Sequence, residues 1–82
     1  MSFNYSKLRG RIREKYNTEA EFSKVLGIGR VSLSKRLNNS LEFSQNEIVK
    51  SCELLGISGK EMPEYFFQAE VRKNEQRSGA DT

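Results

Sequence analysis

The chain has 82 residues, with 14 Lys plus Arg, 11 Asp plus Glu and no His, for a formal charge of +3 at neutral pH. That length allows one small domain with a thin core, which buries only about 60% of the unfolded surface. A single Cys excludes a disulfide framework and a Cys-based zinc site, and the lack of His removes the commonest general base, the commonest metal ligand and the ordinary hydrolytic triads. Binding is therefore expected ahead of catalysis, with no cofactor and no metal. No apolar run nears the roughly 18 residues of a membrane span. The opening MSFNYSKLRG also lacks the apolar stretch of a signal peptide. The expectation is a soluble, cytoplasmic chain that does not engage a membrane.

Helical spacing dominates the pattern. A first helix is predicted over residues 5–16, where Tyr5, Leu8, Ile12 and Tyr16 make one apolar stripe and Asn4 is positioned to cap it. Lys7, Arg9, Arg11, Arg13 and Lys15 fall on every second position, about 200° apart on a helix, so they spread around it as a solvated surface. Thr18 and Glu21 have the spacing of a capping box and open a second helix over residues 19–26. Its inward side chains are Phe22, either Val25 or Leu26, and one side of Ala20. Gly27 ends it in the left-handed conformation, Ile28 plugs the core and Gly29 opens the next element.

A third helix is predicted over residues 30–38, with Leu33 and Leu37 inward and Arg30, Val31, Ser34 and Lys35 outward. Asn38, Asn39 and Ser40 supply turn chemistry. Leu41 and Phe43 are expected to anchor the following loop. Ser44 and Glu47 form a second capping box for a helix over residues 45–55, with Ile48, Cys52 and Leu55 inward, Val49 flanking them and Gly56 as its cap. Ile57 is a post-helix contact. Met62, Tyr65, Phe66 and Phe67 around Pro63 suggest a short or one-turn helix closing the bundle. Three adjacent aromatics cannot all face one small core, so part of the cluster could contact a second copy. The domain is expected to span residues 1–71. Residues 72–82, with Ala80 as their only apolar member, form a tail expected to be disordered. Residues 68–71 could extend as a strand, continue a helix or fray.

The net charge divides unevenly. Residues 1–40 carry nine basic and three acidic side chains, a net of +6, and residues 41–82 carry five basic and eight acidic, a net of −3. Such a dipole can orient a small domain on a polyanion. Two short helices joined by a Gly-containing turn form the helix-turn-helix arrangement, with Ser23 small where the helices cross and Leu33 locking the second onto the first. The outward residues of the third helix are short or cationic, which suits the major groove. The pair Gly27 and Gly29 is turn chemistry and not a nucleotide loop. Cys52 lies on an apolar helical face and reads as core packing, and Glu61 and Glu64 read as solvated.

The stretch TEAEFSKVLGIGRVSLSKRLNNS over residues 18–40, followed by a capped helix ending CELLGIS, resembles helix-turn-helix domains of the Cro and XRE type. With FNYSKLRGRI near its start and a late PEYFF, the chain is similar to small phage-encoded Cro-like proteins over about residues 3–67. The resemblance implies an all-α, lambda-repressor-like bundle of about five short helices. It implies double-stranded operator DNA as ligand, a homodimer on a palindromic site and a bacterial host cell. It also implies that the start of the third helix reads bases: Arg30 and Lys35 on guanine, and Val31 on a thymine methyl. Ser32 and Ser34 are left open between base and phosphate. Thr18 with the amides of the second helix matches a phosphate site, and Asn38 and Asn39 match another.

Three positions depart from the family pattern. Glu19 stands where Gln is common, cannot donate to a phosphate, and is expected to pair with Arg30 and fix its rotamer. Ser23 replaces a frequent Ala. Arg36 stands where an apolar residue is frequent, which leaves the rotation of the third helix open. A second function class is a protein-interaction module that modulates a partner phage repressor, using the acidic, aromatic half from Leu41 onward. An enzyme lacks a catalytic constellation here, and an RNA binder lacks exposed aromatics interleaved with basic residues.

Overall fold

Asn4 decides where the first helix begins. Its side-chain oxygen accepts hydrogen bonds from the Ser6 amide (2.9 Å) and the Ser6 hydroxyl (2.7 Å), so α1 runs Ser6–Tyr16 and Tyr5 stands before it with its ring buried. The computed structural model describes residues 2–69. After α1 come α2 (Glu19–Leu26), α3 (Arg30–Leu37), α4 (Gln45–Leu55) and α5 (Met62–Phe66), an all-α fold of five short helices as the sequence predicts. Among the described residues the extended pairing is one isolated antiparallel bridge, Phe3 to Ala69, extended by the Asn4 amide donating to the Gln68 carbonyl at 2.8 Å. Residues 68 and 69 thus turn back along the start of the chain. The predicted domain boundary at residue 71 and the tail 72–82 lie outside the described residues.

The caps explain most of the boundaries. The box at the start of α4 is complete: the Ser44 hydroxyl accepts from the Glu47 amide at 3.1 Å and the Glu47 carboxylate accepts from the Ser44 amide at 3.0 Å. At α2 only half of the predicted box forms. The Thr18 hydroxyl accepts from the Glu21 amide (3.1 Å), but the Glu21 carboxylate turns along the helix to Lys24 (3.2 Å). Gly27 and Gly56 close α2 and α4 at φ of +88° and +68°, a region costly for residues with a Cβ. In each case the following amide, Ile28 or Ile57, bonds back to the carbonyl that the glycine amide also uses. Before α5, Ser58 and Glu61 exchange the same two side-chain-to-amide bonds as a capping box, a signal the sequence reading passed over.

α2 is central and packs against α1, α3 and α4, while α1 also meets α4 and α5. Leu8, Ile12, Phe22, Leu33, Leu55 and Phe66 are all essentially sealed from solvent. Leu26 takes the inward place on α2 and Val25 stays exposed. Ile28 is partly buried against the core. Leu41, expected as an anchor, is 46% exposed, and Phe43 alone holds that loop to the core. On α4 the inward stripe is rotated slightly from the predicted one. Ser51 and Leu55, one turn apart, are fully buried, whereas Ile48 and Cys52 are half-buried and Val49 is exposed. A polar residue inside the stripe conceals this rotation from a count of apolar positions.

One ion pair sits close to the core. Arg36 on α3 places Nε and Nη2 on the two oxygens of Glu47, at 2.8 and 3.2 Å, and its Nη1 donates to the Ser32 carbonyl at 2.8 Å. Both side chains are less than a fifth exposed, 17% and 18%. Burial opposes the Glu47 charge, but the Ser44 amide and the Arg36 guanidinium outweigh it and hold the carboxyl below its ordinary 4.5.

Two stability predictions follow from these contacts. A carboxyl with a depressed folded pKa contributes stability that is complete above its unfolded value and drains as pH falls through the folded one. Unfolding monitored across the acid range is therefore expected to show a flatter decline below the ordinary 4.5 for Glu47→Gln than for the parent chain. The Ser51 hydroxyl is buried without a hydrogen-bond partner among the described residues. Ser51→Ala removes that unpaired group and improves helix propensity, so urea unfolding is expected to find it more stable by about 1 kcal/mol.

Candidate binding face of the second and third helices

With Leu33 and Leu37 in the core, 3.6 residues per turn leaves Arg30, Val31 and Lys35 in solvent, and Val31 is 68% exposed. Ser32 and Ser34 are half-buried at the flanks. Arg36 does not join this face, because its guanidinium is occupied by Glu47 and the Ser32 carbonyl. The departure at position 36 thus does not turn α3 away from the core; it pins α3 to α4.

The start of α2 differs from expectation. Glu19 pairs with Arg9 of α1 at 2.7 Å and not with Arg30. Arg9 reaches it because α1 packs directly against α2, and its second nitrogen donates to the Asn38 side-chain oxygen at 3.0 Å. Asn38 is bonded in turn to the Ser34 hydroxyl, at 3.4 Å. A polar chain from Glu19 through Arg9 and Asn38 to Ser34 therefore runs beside the outward face. Arg9, one of the cations that alternate along α1, is the member that local spacing places among solvated groups. Its partners lie 10 and 29 residues away, beyond the reach of local spacing.

The eight candidate residues do not form one continuous patch of free groups. Arg30 and Lys35 have no ion pair or side-chain hydrogen bond among the described residues, and they flank Val31 on one side of α3. Thr18 is exposed at the α2 start with its hydroxyl already capping Glu21. Asn39 adopts φ of +67°, and both ends of its amide group are engaged: the oxygen accepts from the Phe3 amide at 2.9 Å and the nitrogen donates one of its two N–H groups to the Phe3 carbonyl at 3.0 Å. It ties the start of the chain to the end of α3.

Internal pairing absorbs much of the charge of the basic half. Lys7 pairs with Glu64 and lies over the Tyr65 ring, 4.9 Å from its centroid. Arg11 pairs with Glu14 and also donates to the Leu55 and Gly56 carbonyls, at 2.9 and 3.2 Å, where α4 exposes its negative end. Lys24 pairs with Glu21. Glu61 is held below its ordinary value by the Ser58 amide and hydroxyl, so with Glu64 on Lys7 these two carboxylates serve the fold. Burial first, and then the Glu53 charge, raise the Cys52 thiol and make it a poorer nucleophile. Among the described residues no His, Cys, Asp or Glu group could hold a metal ion, and no helix is long and apolar enough to cross a membrane.

A second feature brings residues at the start of the chain together with residues after 40. Phe3, Tyr5, Glu42, Phe43, Ile48, Phe66 and Phe67 line a hollow of about 180 Å³. Ile48 also lines a separate apolar groove of about 260 Å³ with Val49, Cys52, Glu53, Ile57 and Met62, so the two depressions share one side chain. Exposed Leu41, Val49 and Phe67 add apolar surface in this half. Glu42 and Glu53 have no ion-pair partner among the described residues.

The model of one protein family matches residues 1–69, and the chain belongs to that family, which is described as DUF739, a protein of unknown function. A comparison with curated proteins gives no match. Among solved structures the chain is similar to the solution structure of the modulator of repression (MOR) of the temperate bacteriophage TP901-1 from Lactococcus lactis. The identity is 35%, the match covers 88% of this chain and 97% of that one, and the TM-score is 0.73.

Proposed function

We propose that this chain is a phage-type regulator that modulates a repressor by binding to it. The observation that carries the reading is the likeness, over nearly the whole of both chains, to a protein named a modulator of repression. Charge supports it physically. A repressor that grips DNA presents cations to phosphate. A protein that binds such a surface is expected to offer the opposite charge around an apolar centre. The half after residue 40 has a net charge of −3, exposed Leu41, Val49 and Phe67 and, among the described residues, three carboxylates without an ion-pair partner, Glu42, Glu53 and Glu61.

A second reading rests on α3. Arg30 and Lys35 are the cations of that helix without internal partners, and they stand where helix-turn-helix proteins read base edges. On this reading the chain is a Cro-like, XRE-type repressor of the host cytoplasm. It would be dimeric on a palindromic operator, with half-sites about one helical turn apart. Thr18 and the α2 amides would meet one phosphate. Glu19 works against that contact, and Asn39, held by Phe3, would have its second side-chain N–H to give another.

The two readings separate in one set of measurements on the purified full chain. Calorimetric titration with a candidate partner phage repressor is expected to show binding without DNA, at least tenfold weaker for Val49→Lys and unchanged for Arg30→Ala or Lys35→Ala. Selection from a random duplex library is expected to enrich no sequence. Enrichment of an inverted repeat would favour the second reading if its affinity falls steeply with salt and loses discrimination in Arg30→Ala.

A further inference from the structure

The hollow beside Glu42 has a chemistry of its own. Its walls are aromatic, and the rings meet at steep angles: Phe3 and Phe67 at 83°, Tyr5 and Phe43 at 78°, Phe43 and Phe66 at 88°, with centroids 5.3–6.0 Å apart. Rings set this way touch edge to face, with Phe66 and Tyr5 buried behind, so half-buried Phe3 and Phe43 and exposed Phe67 are the rings that give the hollow its open surface. The space, about 180 Å³, is several water volumes at roughly 30 Å³ each. Aromatic faces carry negative potential, and a box of them attracts cations more than neutral groups of the same shape.

Glu42 adds a full negative charge at the rim. It is exposed and has no ion-pair partner among the described residues, unlike Glu19, Glu47 and Glu64, which are each matched by a cation of the chain. Its field reaches the rings: burial first, and the Glu42 charge second, raise the Tyr5 hydroxyl above its ordinary value. An aromatic hollow beside a carboxylate that no described residue pairs with is complementary to one compact cation.

We propose that this hollow receives a single cationic side chain, arginine or lysine, from the repressor that the chain modulates. The inference rests on the modulator reading for its partner, but the cation site itself does not. A repressor must expose such side chains in order to bind phosphates, so capture of one in the box removes a DNA contact as it forms the protein contact. The groove that shares Ile48 with the hollow would then accommodate apolar neighbours of that side chain.

The first arm of the test needs no repressor. Amide chemical shifts of the full chain are followed during titration with N-ethylguanidinium, with tetramethylammonium and with neutral tert-butanol. Saturable shifts at Phe3, Tyr5, Phe43 and Phe67 are expected for the two cations and not for the alcohol. Glu42→Gln is expected to weaken the cations at least about threefold, and Phe67→Leu, which keeps apolar volume without the ring, by a similar factor. Equal binding of the alcohol, shifts centred elsewhere or an unchanged affinity in Glu42→Gln would overturn the site.

The second arm measures repressor affinity for Glu42→Gln and Phe67→Leu after their unfolding curves are shown to match the parent chain. Weaker binding by both supports the proposal. If the cations titrate but both variants bind repressor normally, the assignment of the occupant is overturned. If the parent chain does not bind repressor, the modulator reading and the assigned occupant both fall, while the cation titration still decides the site.

Discussion

The rotation of α3 about its own axis decides which side chains this protein offers to a partner, and two unlike restraints fix it. From below, Leu33 and Leu37 are sealed in the core, one turn apart. From the side, Arg36 spans its own helix and α4, with one nitrogen on the Ser32 carbonyl and two on Glu47. A hydrophobic contact alone would tolerate some rolling of a short helix; a bidentate guanidinium–carboxylate pair is directional and does not. The same carboxylate also closes the capping box of α4. The start of α4 and the orientation of α3 therefore depend on one group, and Arg30, Val31 and Lys35 face solvent as a consequence.

The second constraint is that five of the nine cations of the basic half are already paired. Its net +6 suggests a polyanion ligand, yet Lys7, Arg9, Arg11, Lys24 and Arg36 each have a carboxylate of the same chain. The exposed pairs among them contribute little to stability. Their larger effect is on the surface field, which they flatten. Internal carboxylates compete directly with phosphate for these cations, and a protein selected to grip DNA gains nothing from supplying them. The acidic side shows the reverse, with Glu42 and Glu53 left open beside apolar surface. Both charge patterns favour a protein surface as the ligand, on a helical scaffold that by itself would suit either partner.

What the sequence discloses follows the range of each interaction. The bounds of α2 and α4, the left-handed glycines at 27 and 56 and the Ser44–Glu47 box are readable because each depends on residues within four positions. The outward set on α3 is readable for the same reason, since it follows from Leu33 and Leu37. Glu19 was misassigned to Arg30 because its partner, Arg9, is set by the packing of α1 on α2, which no local pattern encodes. At Asn39, too, a long-range contact escapes the local pattern. Turn chemistry predicts its backbone correctly, while its side chain bonds to Phe3, 36 residues away. Ser51 shows the limit of counting apolar positions, because a small polar residue can occupy the most buried place on a helix.

Asn39 also links the two faces. By bonding both the amide and the carbonyl of Phe3, its side chain imitates a strand partner and fixes one residue of the chain start against the end of α3. Phe3 is the same residue whose ring forms one wall of the aromatic hollow and whose backbone bridges to Ala69. The hollow is therefore not a gap between finished helices. It is closed by a segment that has no regular structure of its own and is held by one amide side chain and one β-bridge. Because the first of these restraints is anchored at the C-terminal end of α3, the helix that would meet DNA and the box that would meet a cation share a single point of support.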